Sequence, residues 1–386
     1  VIRNFKRTAS ILGVVALGSA ALVACGDDSS NGDGDTGANG GGEAANGGGE
    51  AASADGLSGQ TGELVGEGAS SQQNAMAIFN AVYSDTVEGA SLAYNPTGSG
   101  SGRTNFIAGQ VDFAGSDSAM DEEEAADAQE RCEGNEAWHL PMVIGPVAIA
   151  YNLDGIDDLN LTVDNLADIF SGEVTNWNDE SIAEANPDAE LPDQEISVIV
   201  RADESGTSGN FQRFLSNATD NWDSEGENFP VPANGSSAQG SAGVGTETNN
   251  IPGAITYVEY DFVHQNDNIE AANIDFGSGP VELNEENVNT ALEGLEFLEE
   301  GHNMVVDTDA LFSQDQEGSY PLILTVYSIV CSAGYDEETQ NLVSDFFNVA
   351  LDNQEAVAER GFIPVEGTHL ERLQSAVDAL GGGGEA

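Results

Sequence analysis

From Leu64 onward, stretches with helical spacing of apolar residues alternate with short apolar runs, and few folds accommodate that order. Gln72 to Val82 reads as a helix, with Ala75, Met76, Phe79 and Val82 on one face. Further helical patterns occupy 105–108, 163–170, 210–215, 288–298 and 338–356, and strand patterns occupy 111–115, 142–151, 196–200, 254–257 and 322–330. Alternation of this kind predicts α/β domains with largely parallel sheets. Binding sites in such sheets lie outside the carboxyl ends of strands, where helices begin. At 386 residues the chain exceeds what one hydrophobic core usually serves, so two domains are expected.

Charge narrows the partners. Nine Lys and Arg face 68 Asp and Glu, a formal −59, and nucleic-acid binding needs the clustered cations that are missing here. Yet 39% of residues are hydrophobic, with 15 Phe, 8 Tyr and 3 Trp, too many for a wholly disordered acidic chain.

Three of the nine cations, Arg3, Lys6 and Arg7, precede an apolar run from Ile11 to Val23. A membrane span needs about 20 residues, and this run is too short. Charged start, short apolar run and small residues make an export signal over 1–25. The end of that segment, Leu22-Val23-Ala24-Cys25, is similar to a bacterial lipobox, in which the cysteine becomes the lipidated N-terminus; an ordinary secretory signal with an incidental cysteine is the alternative. Cleavage before Cys25 leaves six arginines (103, 131, 201, 213, 360 and 372) against 68 acids, a formal −62. We read this as a solvated surface suited to concentrated salt, since no EF-hand loop organises the acids. Residues 26–60 form an acidic Gly/Ala/Asn-rich tether whose seven-residue repeat has no apolar seam, and the tail 381–386 is expected not to pack.

Three small-residue loops join a strand end to a helix start: Gly66 to Gln72, Asn95 to Arg103, and Arg201 to Gly209. Each offers free backbone N–H groups, a hydroxyl and a helix dipole, which together hold an anion without net positive charge. One such loop is more often a capped turn than a site; three, one led by a scarce arginine, point to an anion site.

The runs Gly66-Glu-Gly-Ala-Ser-Ser, Gly98-Ser-Gly-Ser-Gly, Val111-Asp-Phe-Ala-Gly-Ser-Asp117, Ile169 to Trp177, Arg201-Ala-Asp-Glu-Ser-Gly-Thr-Ser208 and Pro252 to Tyr260 resemble the phosphate-binding PstS family in matching order, over about 63–375. The similarity is closest to its actinobacterial lipoprotein branch, through Ser70 to Met76, Trp138 to Tyr151 and Asp203 to Phe214. The resemblance implies a type II periplasmic-binding fold: two α/β lobes joined by two crossovers around a ligand cleft. Lobe I is expected to combine 61–142 with 319–386, and lobe II to take 143–318. It also implies a non-catalytic, monomeric receptor without cofactor, lipid-anchored at the outer face of the cell membrane. That receptor delivers inorganic phosphate to the membrane subunits of an ABC importer.

Carried over position by position, the resemblance implies phosphate contacts from Ser70, the backbone N–H of Ser71, Ser99, Asp117, Arg201, Ser205, Gly206 and Thr207. Ser70 keeps the hydroxyl of the family's usual threonine, and Ser71 replaces an aromatic. Gly240-Ser-Ala-Gly243 departs from the common Gly-Asn-Asp-Gly and bears on the support of the arginine. Other roles remain open on local sequence: Arg201 in a surface ion pair, Asp117 capping a helix over 120–128, Ser99 and Ser205 as helix caps. Trp138, Trp177, Phe113 and Phe170 read as core.

Cys132 and Cys331 remain after Cys25, an even pair in an oxidising compartment, and read as a disulfide. The four histidines never fall at metal-ligand spacing. Rival readings are a binding protein for sulfate, molybdate or a phosphonate, an exported phosphatase or serine hydrolase, and an adhesive surface lipoprotein. Against the hydrolase, there is no Gly-x-Ser-x-Gly elbow and no histidine in the three loops.

Overall fold

The computed structural model describes residues 56–381 except residue 315. The expected signal peptide with Cys25, most of the tether and residues 382–386 lie outside the described residues. Along the chain run β1 (Gly62–Gly68), α1 (Gln73–Thr86), β2 (Ala90–Asn95), α2 (Ser99–Ile107), β3 (Phe113–Ser116), α3 (Glu122–Arg131) and β4 (Ala137–Tyr151). Next come β5 (Asn160–Thr162), α4 (Val163–Ser171), α5 (Glu180–Ala185), β6 (Ser197–Arg201), α6 (Gly206–Ala218), β7 (Gly235–Ala238), α7 (Gly240–Asn250), β8 (Ala254–Glu259) and α8 (Tyr260–Val263). The chain then passes β9 (Glu270–Ala271), β10 (Asn273–Asp275), β11 (Pro280–Val281), α9 (Glu285–Leu292) and α10 (Thr308–Phe312). It returns through β12 (Ile323–Cys331) to α11 (Glu337–Asp352), α12 (Glu355–Ala358) and α13 (Gly367–Asp378).

The large sheet has the order β2-β1-β3-β12-β4-β8-β6-β7. Pairing is parallel among β1, β2 and β3 and again among β6, β7 and β8, whereas β4 and β12 run antiparallel to their neighbours. The expected parallel pairing therefore holds within each half. The antiparallel strands arise because the chain leaves the first half through β4 and returns through β12 in the opposite sense. β4 is buried along its whole length. Its residues up to Pro146 pair with β12, and those from Val147 pair with β8, so one strand serves both halves. The returning segment crosses at the same place: the Val147 N–H donates to the Leu322 carbonyl at 3.0 Å, and the Tyr320 hydroxyl donates to the Val147 carbonyl at 2.8 Å.

Each half has its own aromatic core. Phe113 packs with Phe346 and Phe347 under α1 and α11, while Phe170, Phe211, Phe229 and Tyr257 cluster in the second half. Trp177 is fully buried, its indole N–H donating to the Gly253 carbonyl at 3.0 Å, and Trp138 is also in the core. On α1 the buried face is Ala75, Met76, Phe79 and Tyr83, so Tyr83 takes the place expected of Val82. The helix expected over 338–356 stops at Asp352. Just past that end the Gln354 side chain donates to the Ala350 and Met142 carbonyls and accepts the Val365 N–H, tying the end of α11 to β4 and to the segment before α13. A disulfide joins Cys132, after α3, to Cys331 at the end of β12, and the Arg131 guanidinium lies beside it, stacked on Phe106 and Tyr335.

Candidate functional site

The carboxyl ends of β1, β2 and β3 meet those of β6, β7 and β8, and the three small-residue loops lie at that junction. β1 ends at Gly68, with φ 138°, where a Cβ would stand 2.0 Å from the Gly115 carbonyl oxygen. Only glycine lets β1 and β3 run together here and deliver Ser70 and Ser71 beside Asp117. Ser99 opens α2 and Arg201 closes β6. Ser205 caps α6, its hydroxyl accepting the Ser208 N–H at 3.2 Å, while its own N–H donates to the Glu227 carbonyl at 3.1 Å.

Both α2 and α6 start earlier than their apolar pattern predicts, at Ser99 and Gly206 rather than 105 and 210. Their first turns are Gly, Ser and Thr, poor helix formers, yet those turns carry the free N–H groups. Gly206 is a close-approach glycine: a Cβ there would stand 2.6 Å from both the Asp117 Cβ and the Ser99 Oγ.

Asp117 is the hub. The Ser71 hydroxyl donates to its Oδ1, the Thr207 hydroxyl lies 3.2 Å from its Oδ2, and its backbone N–H donates to the Ser99 Oγ at 3.1 Å. The Gly206 N–H reaches the same Ser99 Oγ at 3.2 Å from the other half. Asn210 holds the Asp117 carbonyl at 2.7 Å. Arg201 donates through Nε and Nη2 to the two oxygens of Asp203, leaving Nη1 turned to Thr207 and Ser241, each at 3.3 Å. Ser241, at the start of α7, also meets Ser70, with 3.0 Å between the hydroxyls and 3.0 Å from its N–H to the Ser70 Oγ.

Burial sets the electrostatics. Burial first, then the Glu259 charge, push Asp117 up to about 7 against the opposing Ser71 hydroxyl, Arg201 charge and Thr207 hydroxyl. Burial also acts upward on Asp203, but the Arg201 hydrogen bonds and charge, together with the Gly240 N–H, outweigh it and hold that carboxyl below its ordinary range. The site thus combines one neutralised arginine, one basic carboxylate and a ring of hydroxyls and N–H groups. Such a set can surround an oxyanion with donors while accepting one hydrogen from it. Beside Asp117 a cleft of ≈ 1330 Å³ opens, lined by Arg103 and Arg213 among many acids, including Asp121, Glu124, Glu204, Glu225 and Asp307. Among the described residues no cluster of His, Cys, Asp and Glu suits a metal ion.

The sequence profile described as a PBP superfamily domain matches residues 50–354. Phosphate-binding protein PstS 3 of Mycobacterium tuberculosis is 37% identical over 382 residues, covering 98% of this chain and 100% of the relative. PstS 2 of the same organism is 35% identical over 385 residues, covering 98% and 100%. The chain belongs to the PstS family. Among solved structures, the phosphate-binding protein from Stenotrophomonas maltophilia is similar with TM-score 0.61 and 21% identity, covering 82% of this chain and 94% of that one. A phosphate ABC transporter substrate-binding protein from Clostridium perfringens is similar with TM-score 0.57 and 18% identity, covering 79% and 100%. The fold is the type II periplasmic-binding fold, two lobes joined by two crossovers.

All eight positions carried over from the PstS resemblance are buried at this junction. The structure separates them by what they touch. Ser70, Ser71, Ser99, Asp117, Arg201, Gly206 and Thr207 belong to one hydrogen-bonded cluster, whereas the Ser205 hydroxyl is spent on capping α6. Ser71 contributes more than its expected N–H, because its hydroxyl fixes Asp117. Asp117 does not cap α3; Asp121 does, accepting the Glu123 and Glu124 N–H groups. The departure at 240–243 places Ser241 within reach of the Arg201 guanidinium, and Asp203 supports that arginine directly. Sequence reasoning missed Asp203, Asn210, Ser241 and Glu259. The helix-start serine after Gly240 was a readable signal for Ser241; nothing local marked Glu259 as a buried carboxylate.

Proposed function

We propose that this chain is an extracytoplasmic receptor that captures inorganic phosphate in the cleft between its lobes and delivers it to an ABC importer. The relatives named as phosphate-binding proteins support the ligand class, and Asp117 carries the choice within it. A fully ionised oxyanion has no hydrogen to offer a buried carboxylate, whereas phosphate near neutral pH does. Ser70, the Ser71 N–H, Ser99, Arg201, Gly206 and Thr207 supply donors to the other oxygens, with Ser205 ordering the start of α6. No residue is assigned a catalytic role. Lobe I takes 61–142 with 319–386 and lobe II takes 143–318; the pairing change at Pro146 and Val147 supports two bodies that hinge there.

The receptor is further proposed to be a monomer, held at the outer face of the cell membrane by lipid on Cys25 with 26–60 as its tether. No helix among the described residues is long and apolar enough to cross a membrane. Calorimetry of refolded, phosphate-stripped protein with an oxyanion panel tests the ligand assignment. Phosphate binding with sulfate rejected is the expected result, and equal affinity for both would sink it.

A further inference from the structure

Glu259 closes β8 fully buried, and the contacts carried over by resemblance leave it out. Its Oε1 accepts the Thr207 hydroxyl at 2.7 Å, and its Oε2 is buried without any partner. The same Thr207 oxygen lies 3.2 Å from Asp117 Oδ2 and 3.3 Å from Arg201 Nη1. A hydroxyl has one hydrogen to give. The shorter contact assigns that hydrogen to Glu259, while Arg201 supplies the bond that Thr207 accepts. The charged and titratable groups facing Glu259 are Arg201 from β6, Asp117 after β3 and Asp261 from α8. β4 pairs with it through Val147, passes Gly145 close to its side chain and adds none.

Donation from Thr207 to an oxyanion requires that hydrogen to leave Glu259. An ionised Glu259 would then be a buried carboxylate with no donor, close to Asp117 and to the incoming anion, a state that proteins escape by protonation. The Arg201 charge gives only partial relief, since its Nε and Nη2 donate to Asp203 and its Nη1 to Thr207 and Ser241, with no guanidinium hydrogen bond reaching Glu259. A protonated Glu259 instead donates to the Thr207 oxygen, which donates onward to the ligand.

We propose that Glu259 takes up one proton from solvent as the oxyanion is buried and passes a hydrogen bond through Thr207 to it, which makes it a positioning residue for the ligand. The inference rests on the phosphate-receptor reading. The only covalent change is one O–H bond formed at the Glu259 carboxylate, and it is lost to solvent again when the ligand leaves.

The test is calorimetric titration of inorganic phosphate into the full chain, in buffers of different ionisation enthalpy. The pH is set well above the Asp117 value of about 7, so that free phosphate and Asp117 are both ionised. Wild type should take up about one proton per phosphate, Glu259→Gln almost none, and Asp261→Asn as much as wild type. Uptake that survives in Glu259→Gln, that vanishes in Asp261→Asn, or that is absent from wild type overturns the assignment while leaving the receptor reading intact. No phosphate binding by wild type would instead sink the receptor reading and this inference with it. Wild-type protein alone gives an independent check: its infrared difference spectrum with and without phosphate should gain a protonated carboxylic-acid band, and a flat spectrum there overturns the proposal.

Discussion

Arg103 and Glu227 form a two-point ion pair across the cleft, Nη1 to Oε1 at 2.9 Å and Nη2 to Oε2 at 3.1 Å. Arg103 sits on α2 and also holds Glu124 through Nε and the Ser116 hydroxyl through Nη1, each at 3.0 Å. Glu227 lies between α6 and β7, and its carbonyl receives the Ser205 N–H. One of the chain's few arginines therefore ties the element that begins at Ser99 to the loop that orders the start of α6. Planar two-point pairs of this kind add geometric definition as well as energy.

Glu227→Gln should accordingly speed phosphate release more than it slows capture, because the pair joins groups from the two halves and is expected to break as they part. Removing one partner of a largely buried pair leaves the other without its counter-charge, and we expect affinity to fall about 10- to 100-fold, roughly 1.4–2.7 kcal/mol. Stopped-flow association and dissociation rates check this. An unchanged dissociation rate would show that the pair does not hold the closed form.

Gly206→Ala probes the same closure at its tightest point. The added methyl meets the Asp117 Cβ and Ser99 Oγ at 2.6 Å; the first is bonded directly to the backbone, and the second is held by the Asp117 and Gly206 N–H groups. We expect phosphate affinity to fall by about 5- to 150-fold, the equivalent of the roughly 1–3 kcal/mol that overpacking costs. Thermal stability of the phosphate-free protein should change much less. Calorimetry with a melting curve separates the two, and a variant that binds normally would contradict the close approach.

Much of the fold was legible because its central elements carry strong patterns. β4 and β12 are dense apolar runs and α11 carries apolar residues at helical spacing, and their positions differ from the sequence reading by only a few residues. α2 was not legible in the same way, since Ser99 to Ile107 has Gly at 100 and 102 and no continuous apolar stripe; packing against β1 and β3, rather than propensity, makes it a helix. The site followed a similar rule. Hydroxyls and N–H groups at helix starts were visible as Gly/Ser loops, but Glu259 and Asn210 are brought in by tertiary contact from a strand end and a helix interior. The resemblance implies a contact only through the Ser71 N–H, and local sequence does not show that Asp117 stands opposite the hydroxyl.

Asp117→Asn should change both ligand choice and the pH dependence of stability. Sites built to accept a ligand hydrogen reject an analogue without one by about 10⁴–10⁵, so replacing the carboxylate by an amide should relax sulfate rejection more than it weakens phosphate binding. The folded value of Asp117 is about 7, above its ordinary 3.8. Its contribution to stability is therefore fully present below 3.8 and lost as pH rises through 7, with a slope of at most about 1.4 kcal/mol per pH unit. His139 works in the opposite direction: burial holds it down to about 4, so its contribution is present above 6.5 and lost as pH falls toward 4. Denaturant unfolding of variant against wild type across this window isolates Asp117, because the difference removes the Asp261 contribution, which has the same sign, and those of His139 and His369, which oppose it. An unchanged phosphate-to-sulfate ratio would remove Asp117 from its assigned role.

Salt should act on both folding and capture. The acids outnumber the cations so heavily that the surface repels itself, and the cleft beside Asp117 is lined by Asp121, Glu124, Glu204, Glu225 and Asp307. The cations lining it are already engaged, Arg103 by Glu124 and Glu227 and Arg213 by Asp309. An approaching anion therefore meets net repulsion until it reaches the buried N–H and hydroxyl donors. The Debye length shortens from about 10 Å at 0.1 M salt to about 3 Å at 1 M, which screens the cleft lining but barely reaches the buried site. Added chloride should raise the phosphate association rate and the unfolding free energy together, then level off, whereas a basic anion site would show a falling association rate. Measured in protein that is folded throughout, association at 1 M no faster than at 0.1 M would mean that the acidic lining does not govern capture.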